Sequence, residues 1–274
     1  MDSVAPLVSV VIVSKDRPAL LARALDSVLT QDYPALEVIL VDNQSEIPLT
    51  SPETTSAHKI SVFKSPSHMN AAQSRSFALS KCTGSLITFL DDDDWFLPGK
   101  IRQQVDAFES NPELEIVYMN TSVLGPDGEE EETLRGTPYY PLMTMVHLNA
   151  LMVRRHVIER VQFDERMSRN IDDHFMINIF NRFKWHHIDD IGAVWNREQR
   201  PDQITNDART IWEKLRVRKQ EHLNSTILCE DFGHLFSQHK DLRNHYFARH
   251  VRTSLVNFHF IEAFKYWQLQ RDSK

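Results

Sequence analysis

The sequence predicts an α/β fold, an open and mostly parallel central sheet with flanking helices, followed by a helical C-terminal extension. Three observations lead there. Short β-branched runs alternate with amphipathic segments through residues 7–110. The first two runs are mostly apolar, the pattern of strands covered on both faces, and the third is weaker. Beyond about residue 205 the strand signals stop, and charged, aromatic helical sequence continues without proline or a glycine-rich linker.

The first run, LVSVVIVS at residues 7–14, reads as a buried strand. Pro18 then opens a helix, as proline suits a first turn, with Leu21, Leu25, Val28 and Leu29 on one face. EVILVD (37–42) and KISVFK (59–64) are the second and third strands. A helix is expected over 70–81, packing through Ala71, Ala72, Phe77 and Ala78 and closed by Thr83-Gly84. Residues 85–90 form the fourth strand, and a helix begins at Pro98 and runs to about Ser110. From Ile116 a hairpin turns at Pro126-Asp127-Gly128, with glutamates 129–132 as its solvated flank. NALMVRRHVIERV (149–161) passes from strand to helix, and HFMINIFNRF (174–183) carries a further helical pattern. VWNREQRPDQIT (194–205) follows what reads as a last strand.

Composition narrows the function. Of 274 residues, 41% are hydrophobic and 25% charged, ordinary for a globular chain with a sizeable core. A net charge of −7 argues against a nucleic-acid binder. Cys82 and Cys229 make neither a disulfide framework nor a zinc pattern, which suits a reducing compartment. The opening MDSVAPLVSV lacks the basic and long apolar stretches of a signal peptide, and no apolar run is long enough to span a membrane. A cytoplasmic protein is expected.

ITFLDDDDWFLP (87–98) poses the main chemical question, because it runs an apolar strand into four consecutive aspartates. Like charges ~4 Å apart repel by about 4 kcal/mol at an effective dielectric near 20. Ligands in open α/β sheets bind beyond the carboxyl ends of the strands. Three such ends are polar here: Ser14-Lys15-Asp16, Asp42-Asn43 and Asp91–Asp94. If the strand stays extended, Asp91 and Asp93 point to one side. Oxygen ligands so placed suit Mg²⁺ or Mn²⁺, which commonly also hold substrate phosphates. An acidic helix N-terminus could account for Asp94 but hardly for all four. Asp172-Asp173 precedes HFMINIFNRF and reads equally well as a helix N-cap with a first-turn carboxylate. His147, His156, His174, His186 and His187 lack metal-ligand spacing and read as scattered surface or packing residues. Cys82 reads as a buried, inert thiol.

Over residues 7–205 the chain resembles family 2 glycosyltransferases of the GT-A fold. The resemblance rests on VSVVIVSKDRPALLARALDSVLTQDYPALEVILVDNQS, on SRSFALSKCTGSLITFLDDDDWFLPGKI, and on ALMVRRHVIERVQFDE followed by IDD. It implies a catalytic domain over residues 1–205 and a helical extension over 206–274. Within the domain, about 1–115 would bind the nucleotide-sugar and 116–205 the acceptor. It also implies a D-x-D motif within Asp91-Asp92-Asp93, with Asp93 as principal metal ligand and Asp91 and Asp92 at the sugar and ribose side. Asp173 matches the catalytic base of an inverting transfer. Arg75 lies at the family's Ala-Arg-Asn motif and would partner the diphosphate or the aspartates. Ser14, Lys15, Asp16, Asp42 and Asn43 would surround the nucleotide.

Two departures bear on the donor. Many relatives end the second strand in Asp-Asp, whose second carboxylate reads uracil, where this chain has Asp42-Asn43. Some place a stacking tyrosine where Lys15 stands. A UDP-sugar is the default donor and a dTDP-sugar the next; the acceptor would be a glycan or a lipid-linked hydroxyl in surface polysaccharide synthesis. Asp172, Trp195 and Arg197 are candidate acceptor or loop residues, and Arg200 to Gln203 would belong to a loop closing over the substrates. The tail from Lys240 carries seven Lys/Arg against three Asp/Glu and several aromatics. It fits packing on the main domain, a homo-oligomer, or peripheral contact with the inner face of the cell membrane. The competing readings are a sugar-nucleotide nucleotidyltransferase, against which the first loop lacks a glycine-rich run, and a non-catalytic subunit of the same fold.

Overall fold

The computed structural model describes residues 5–51, 58–135, 146–167, 171–198, 211–238, 240–257 and 259–271. The chain forms two compact units, residues 1–165 with 175–198, and residues 166–174 with 199–274. Residues 200–203, expected in a closing loop, lie outside the described residues.

In the first unit, β1 (Val8–Ser14), β2 (Leu36–Asp42), β3 (Lys59–Lys64) and β4 (Leu86–Asp91) pair in parallel in the order β3-β2-β1-β4. β2 is buried at every position, as its unbroken apolar run predicts for a strand covered on both faces. Helix α1 (Pro18–Leu29) crosses from β1 to β2 and α2 (Ala71–Leu79) from β3 to β4, while α3 (Lys100–Ser110) follows them in the chain. Asn70 caps α2 through a reciprocal pair of hydrogen bonds with Gln73. The helix expected from Pro98 starts two residues later, because Gly99 takes a φ of 81°, outside the helical region.

The sheet then becomes mixed. It continues from β4 through β8 (Leu151–Arg154) and β6 (Ile116–Leu124) to β9 (Trp185–Asn196) and β5 (Trp95–Phe96). β8 runs antiparallel to both β4 and β6, β6 and β9 are parallel, and β5 is antiparallel to β9. The hairpin partner β7 (Glu130–Leu134) completes nine strands among the described residues. Helix α4 (Arg155–Arg160) follows β8, and α5 spans Ile171–Phe180. β9 is longer than its sequence suggested, since its polar stretch WHHIDD lies on half-exposed and exposed positions and breaks register against β6 near Asn120.

Glu37 shows how the crossovers are fastened. It is buried at the start of β2, and its carboxylate accepts from Ser9 Oγ at 2.6 Å, Thr83 N at 2.6 Å, Thr83 Oγ1 at 2.8 Å and Gly84 N at 3.0 Å. Burial raises its pKa, but these donors together outweigh burial and hold it below the ordinary carboxylate value. A Cβ on Gly84 would stand 2.6 Å from the Leu7 carbonyl, which explains the glycine. Glu37→Leu would strand several buried donors and is expected to destabilise the fold by about 2–4 kcal/mol. Urea unfolding reads this directly, and an unchanged midpoint would contradict it. The wild-type contribution is present above the ordinary glutamate pKa and is lost as pH falls through the depressed value.

In the second unit, α6 (Ile211–Gln238), α7 (Lys240–Val256) and α8 (Phe260–Arg271) pack through aromatic rings. Phe236 stacks on Tyr246 with centroids 4.3 Å apart, and Phe247 meets Tyr266 edge-on at 5.4 Å. Among the described residues, no helix is long and apolar enough to cross a membrane.

Candidate active site

The carboxyl ends of β1, β2 and β4 meet where the strand order reverses, the place where open α/β sheets hold ligands. Ser14, at the end of β1, donates from Oγ to Asp92 Oδ2 at 2.7 Å. Lys15 and Asp16 are exposed, and Asp16 adopts a φ of 55°. Asp16 fastens the β1 loop to the β2 loop: its N–H donates to Ser45 Oγ at 3.0 Å and its Oδ1 accepts from Glu46 N at 2.6 Å.

At the end of β2, Asp42 is buried and accepts from Ser45 N at 2.8 Å and Leu49 N at 3.2 Å. Burial raises its pKa, and these donors with the nearby Lys64 charge bring it below the ordinary value. Asn43 makes a reciprocal pair with the backbone of Met69, donating from Nδ2 to the carbonyl at 2.9 Å and accepting its N–H at 3.0 Å. The side chain expected beside a nucleobase is thus engaged in holding the 65–69 segment.

The chain leaves the extended conformation at Asp91, and a turn brings Asp94 N to 3.2 Å from the Asp91 carbonyl. Strand alternation therefore ends before Asp93, and Asp91 comes together with Asp94. Ligand atoms of Asp91, Asp94 and His147 all lie within 4.8 Å of one another. Asp94 is almost wholly buried and accepts from Asn149 Nδ2 and Asn196 N, each at 2.9 Å. His147 Nδ1 lies 3.8 Å from Asp94 Oδ2 and is buried without a hydrogen-bond partner. An orphaned ring nitrogen beside two carboxylates is a donor set that fits a divalent cation such as Mn²⁺. His147, read from sequence as a scattered packing residue, thus joins the site. Its ring stacks on Trp195 at 4.8 Å, and the Arg197 guanidinium lies 5.2 Å from the Trp195 ring and 3.4 Å from Glu131.

Arginines neutralise the remaining charge. Arg75 Nη2 is 2.7 Å from Asp91 Oδ1. Arg17 Nη1 is 3.2 Å from Asp92 Oδ1 and 3.5 Å from Asp93 Oδ2, and Arg23 donates to the Asp93 carbonyl at 2.8 Å while covering Trp95. The aspartates divide accordingly. Burial raises Asp91, yet Arg75, then His147 and Arg17, hold it below the ordinary value. Burial lifts Asp92 to about 6 against the Ser14 hydrogen bond and the Arg17 charge. Asp94 is raised well above the ordinary value by burial, then by Asp91 and Asp93. The four carboxylates are accommodated by cationic side chains and neutral donors. Cys82 is buried and its thiol is pushed up to about 12, chiefly by burial, as expected of an inert thiol.

Asp172 and Asp173 occupy the first turn of α5, in the second unit. Asp173 Oδ2 lies 4.0 Å from Arg249 Nη1, with both side chains about one-third exposed at 33%. Next to it, His174 Nε2 is 3.0 Å from Asp231 Oδ2.

Residues 9–198 match the sequence profile of glycosyl transferase family 2. The chain belongs to this family. Among curated members, an uncharacterized glycosyltransferase of Haemophilus influenzae is 30% identical over 112 residues, 41% of this chain and 38% of its own length. The amylovoran biosynthesis glycosyltransferase AmsB of Erwinia amylovora is 25% identical over 184 residues, 60% of this chain and 60% of its own. The chain therefore spans less than two thirds of these relatives, at 38% and 60%. TarS of S. aureus (residues 1–349), solved with UDP-GlcNAc, superposes with a TM-score of 0.68 at 14% identity, covering 96% of this chain and 81% of TarS. The mannosyltransferase PcManGT of Pyrobaculum calidifontis, solved with GDP-Man and Mn²⁺, superposes at 0.59 with 15% identity, covering 98% of this chain and 84% of its own. At these identities the likeness is one of fold, and it is the GT-A arrangement that the sequence resemblance implied.

Proposed function

We propose that this protein is a metal-dependent, inverting glycosyltransferase that moves a sugar from a nucleotide-diphosphate-sugar to a hydroxyl of a glycan or lipid-linked acceptor. The observation that carries the reading is the group Asp91, Asp94 and His147 at the reversal of strand order within the family's matched region. A bound Mn²⁺ or Mg²⁺ would supply Lewis-acid charge to the leaving diphosphate. Asp91, Asp94 and His147 would hold that ion, and Asp93 would join them once Arg17 leaves its carboxylate. Arg17 and Arg75 are placed to turn from carboxylates to phosphate oxygens, a geometry guanidinium matches well.

The chain's remaining task is proton management. The acceptor oxygen attacks the anomeric carbon, the bond from that carbon to the diphosphate oxygen breaks with its electron pair leaving on the nucleotide, and configuration inverts. Asp173 takes the hydroxyl proton as the new bond forms. Its position in the family motif supports this role. A UDP-sugar is the leading donor and a dTDP-sugar the next, and the amylovoran relatives support a role in surface polysaccharide synthesis.

Thermal shift with UDP, dTDP and GDP, each with and without Mn²⁺, tests the donor site. Selective binding at a hundredfold excess over Kd adds about 2.7 kcal/mol of stability. Metal-dependent stabilisation by at least one nucleotide is expected, and none by any would sink the reading. Asn43→Asp sets a carboxylate against the Met69 carbonyl. It is therefore expected to lower affinity for all three nucleotides alike, and a selective change in their ranking would instead put Asn43 on the base.

A further inference from the structure

We infer that Asp231 of α6 is a positioning residue for Asp173, holding the first turn of α5 through the side chain of His174. The inference rests on the reading of Asp173 as base and names what keeps that base in place. Residues 166–174, which carry Asp172 and Asp173, group with residues 199–274 and not with the sequence on either side of them. The match to the family profile ends at residue 198, so α6 and α7 lie beyond it. The hold on this segment therefore comes from helices outside the matched region.

Asp231 makes that hold with one oxygen. Its Oδ2 accepts from His174 Nε2 at 3.0 Å and from Arg166 Nη2 at 3.2 Å, which ties the last residue of the segment to the first. A carboxylate accepts and does not donate, and hydrogen bonds to such an acceptor are the stronger kind. His174 is 5% exposed, and the ring of Phe232, the next residue of α6, lies 5.0 Å from its own. Two adjacent side chains of α6 thus engage the imidazole, one at a nitrogen and one at the ring. His174 follows Asp173 directly within the helix, so fixing one restricts the other. Arg249 of α7 faces Asp173 itself at 4.0 Å, but an ion pair so open to solvent holds little. A base works only within hydrogen-bond reach of the hydroxyl it deprotonates. A displacement of about 1 Å can cost on the order of 10²-fold in rate.

The test uses the full chain carrying Asp231→Ala or Asp231→Asn. The Asp231 side chain is 37% exposed, so neither exchange endangers the fold, and circular dichroism checks this. Amide hydrogen exchange in the first turn of α5 is expected to quicken by about tenfold or more in Asp231→Ala, with β1 to β4 unchanged. Release of nucleoside diphosphate from UDP-GlcNAc, dTDP-glucose and GDP-mannose in Mn²⁺, with water as acceptor, is the second readout. It should fall by about 10–10²-fold in Asp231→Ala while donor affinity holds. Asp231→Asn keeps an acceptor oxygen and should recover most of both losses. Unchanged exchange, or faster exchange with turnover unchanged, would overturn the inference. So would a parallel loss of donor affinity, since the effect would then lie in binding. Asp173→Asn tells this failure from that of the reading beneath it. Turnover lost in Asp173→Asn but kept in Asp231→Ala removes the positioning alone, whereas turnover kept in Asp173→Asn, or absent from wild type with all three donors, removes the base and the inference with it.

Discussion

Asp173→Asn is expected to slow sugar transfer by roughly 10²–10⁴-fold, the usual cost of losing a general base, while donor affinity stays within a few fold. An acceptor hydroxyl is a poor nucleophile at neutral pH, so its proton must leave as the bond to the anomeric carbon forms. Asparagine keeps the size of the side chain but cannot take that proton. The local cost of the exchange is small, because the one-third-exposed Asp173 faces Arg249 across 4.0 Å and an ion pair so open to solvent contributes little. Asp172→Asn removes a neighbouring first-turn carboxylate without touching the base, so a smaller loss is expected. Transfer rate measured beside donor affinity for both variants separates chemistry from binding. Transfer by Asp173→Asn at near wild-type rate would place the base elsewhere.

What the sequence made legible follows from how local the determining physics is. The strands β1, β2 and β4 are buried on both faces, and their unbroken apolar runs carry that information in a few consecutive residues. The carboxylates ending β4 were equally visible, since four adjacent acids need an explanation wherever they fall. The turn after Asp91 was not, because Asp92 and Asp93 favour turns no more than Asp94 does, and tertiary partners such as Asn149 and Asn196 fix the outcome. His147 had no local signal at all. It stands 53 residues after Asp94, and only the topology that brings the start of β8 and the end of β9 to the same place makes it a neighbour. Arg17 looked like part of a loop, and its contact with Asp92 and Asp93 depends on α1 starting where β1 and β4 end side by side.

His147→Ala is expected to weaken binding of Mn²⁺ alone by tenfold or more, the scale on which losing a metal site's supporting groups is usually felt, about 10–100-fold. His147, Asp91 and Asp94 are already gathered within 4.8 Å, with Arg75 on the Asp91 carboxylate at 2.7 Å. Asp93 lies outside that group, and its carboxylate faces Arg17 at 3.5 Å. Asp93→Asn should therefore leave Mn²⁺ affinity within about threefold, yet lower affinity for Mn²⁺ with a nucleoside diphosphate, whose phosphates draw Arg17 away. The pH dependence has a definite sign. Asp94 is raised by burial and by its acidic neighbours, so its proton competes with the ion. Since the ion needs the ionised carboxylate, binding favours proton release, and affinity climbs as pH rises. Calorimetry in two buffers of different ionisation enthalpy counts that proton. Mn²⁺ binding by His147→Ala at wild-type strength would reduce His147 to a packing partner of Trp195, and an equal loss of metal-only binding in Asp93→Asn would move the ion onto the pair Asp91 and Asp93.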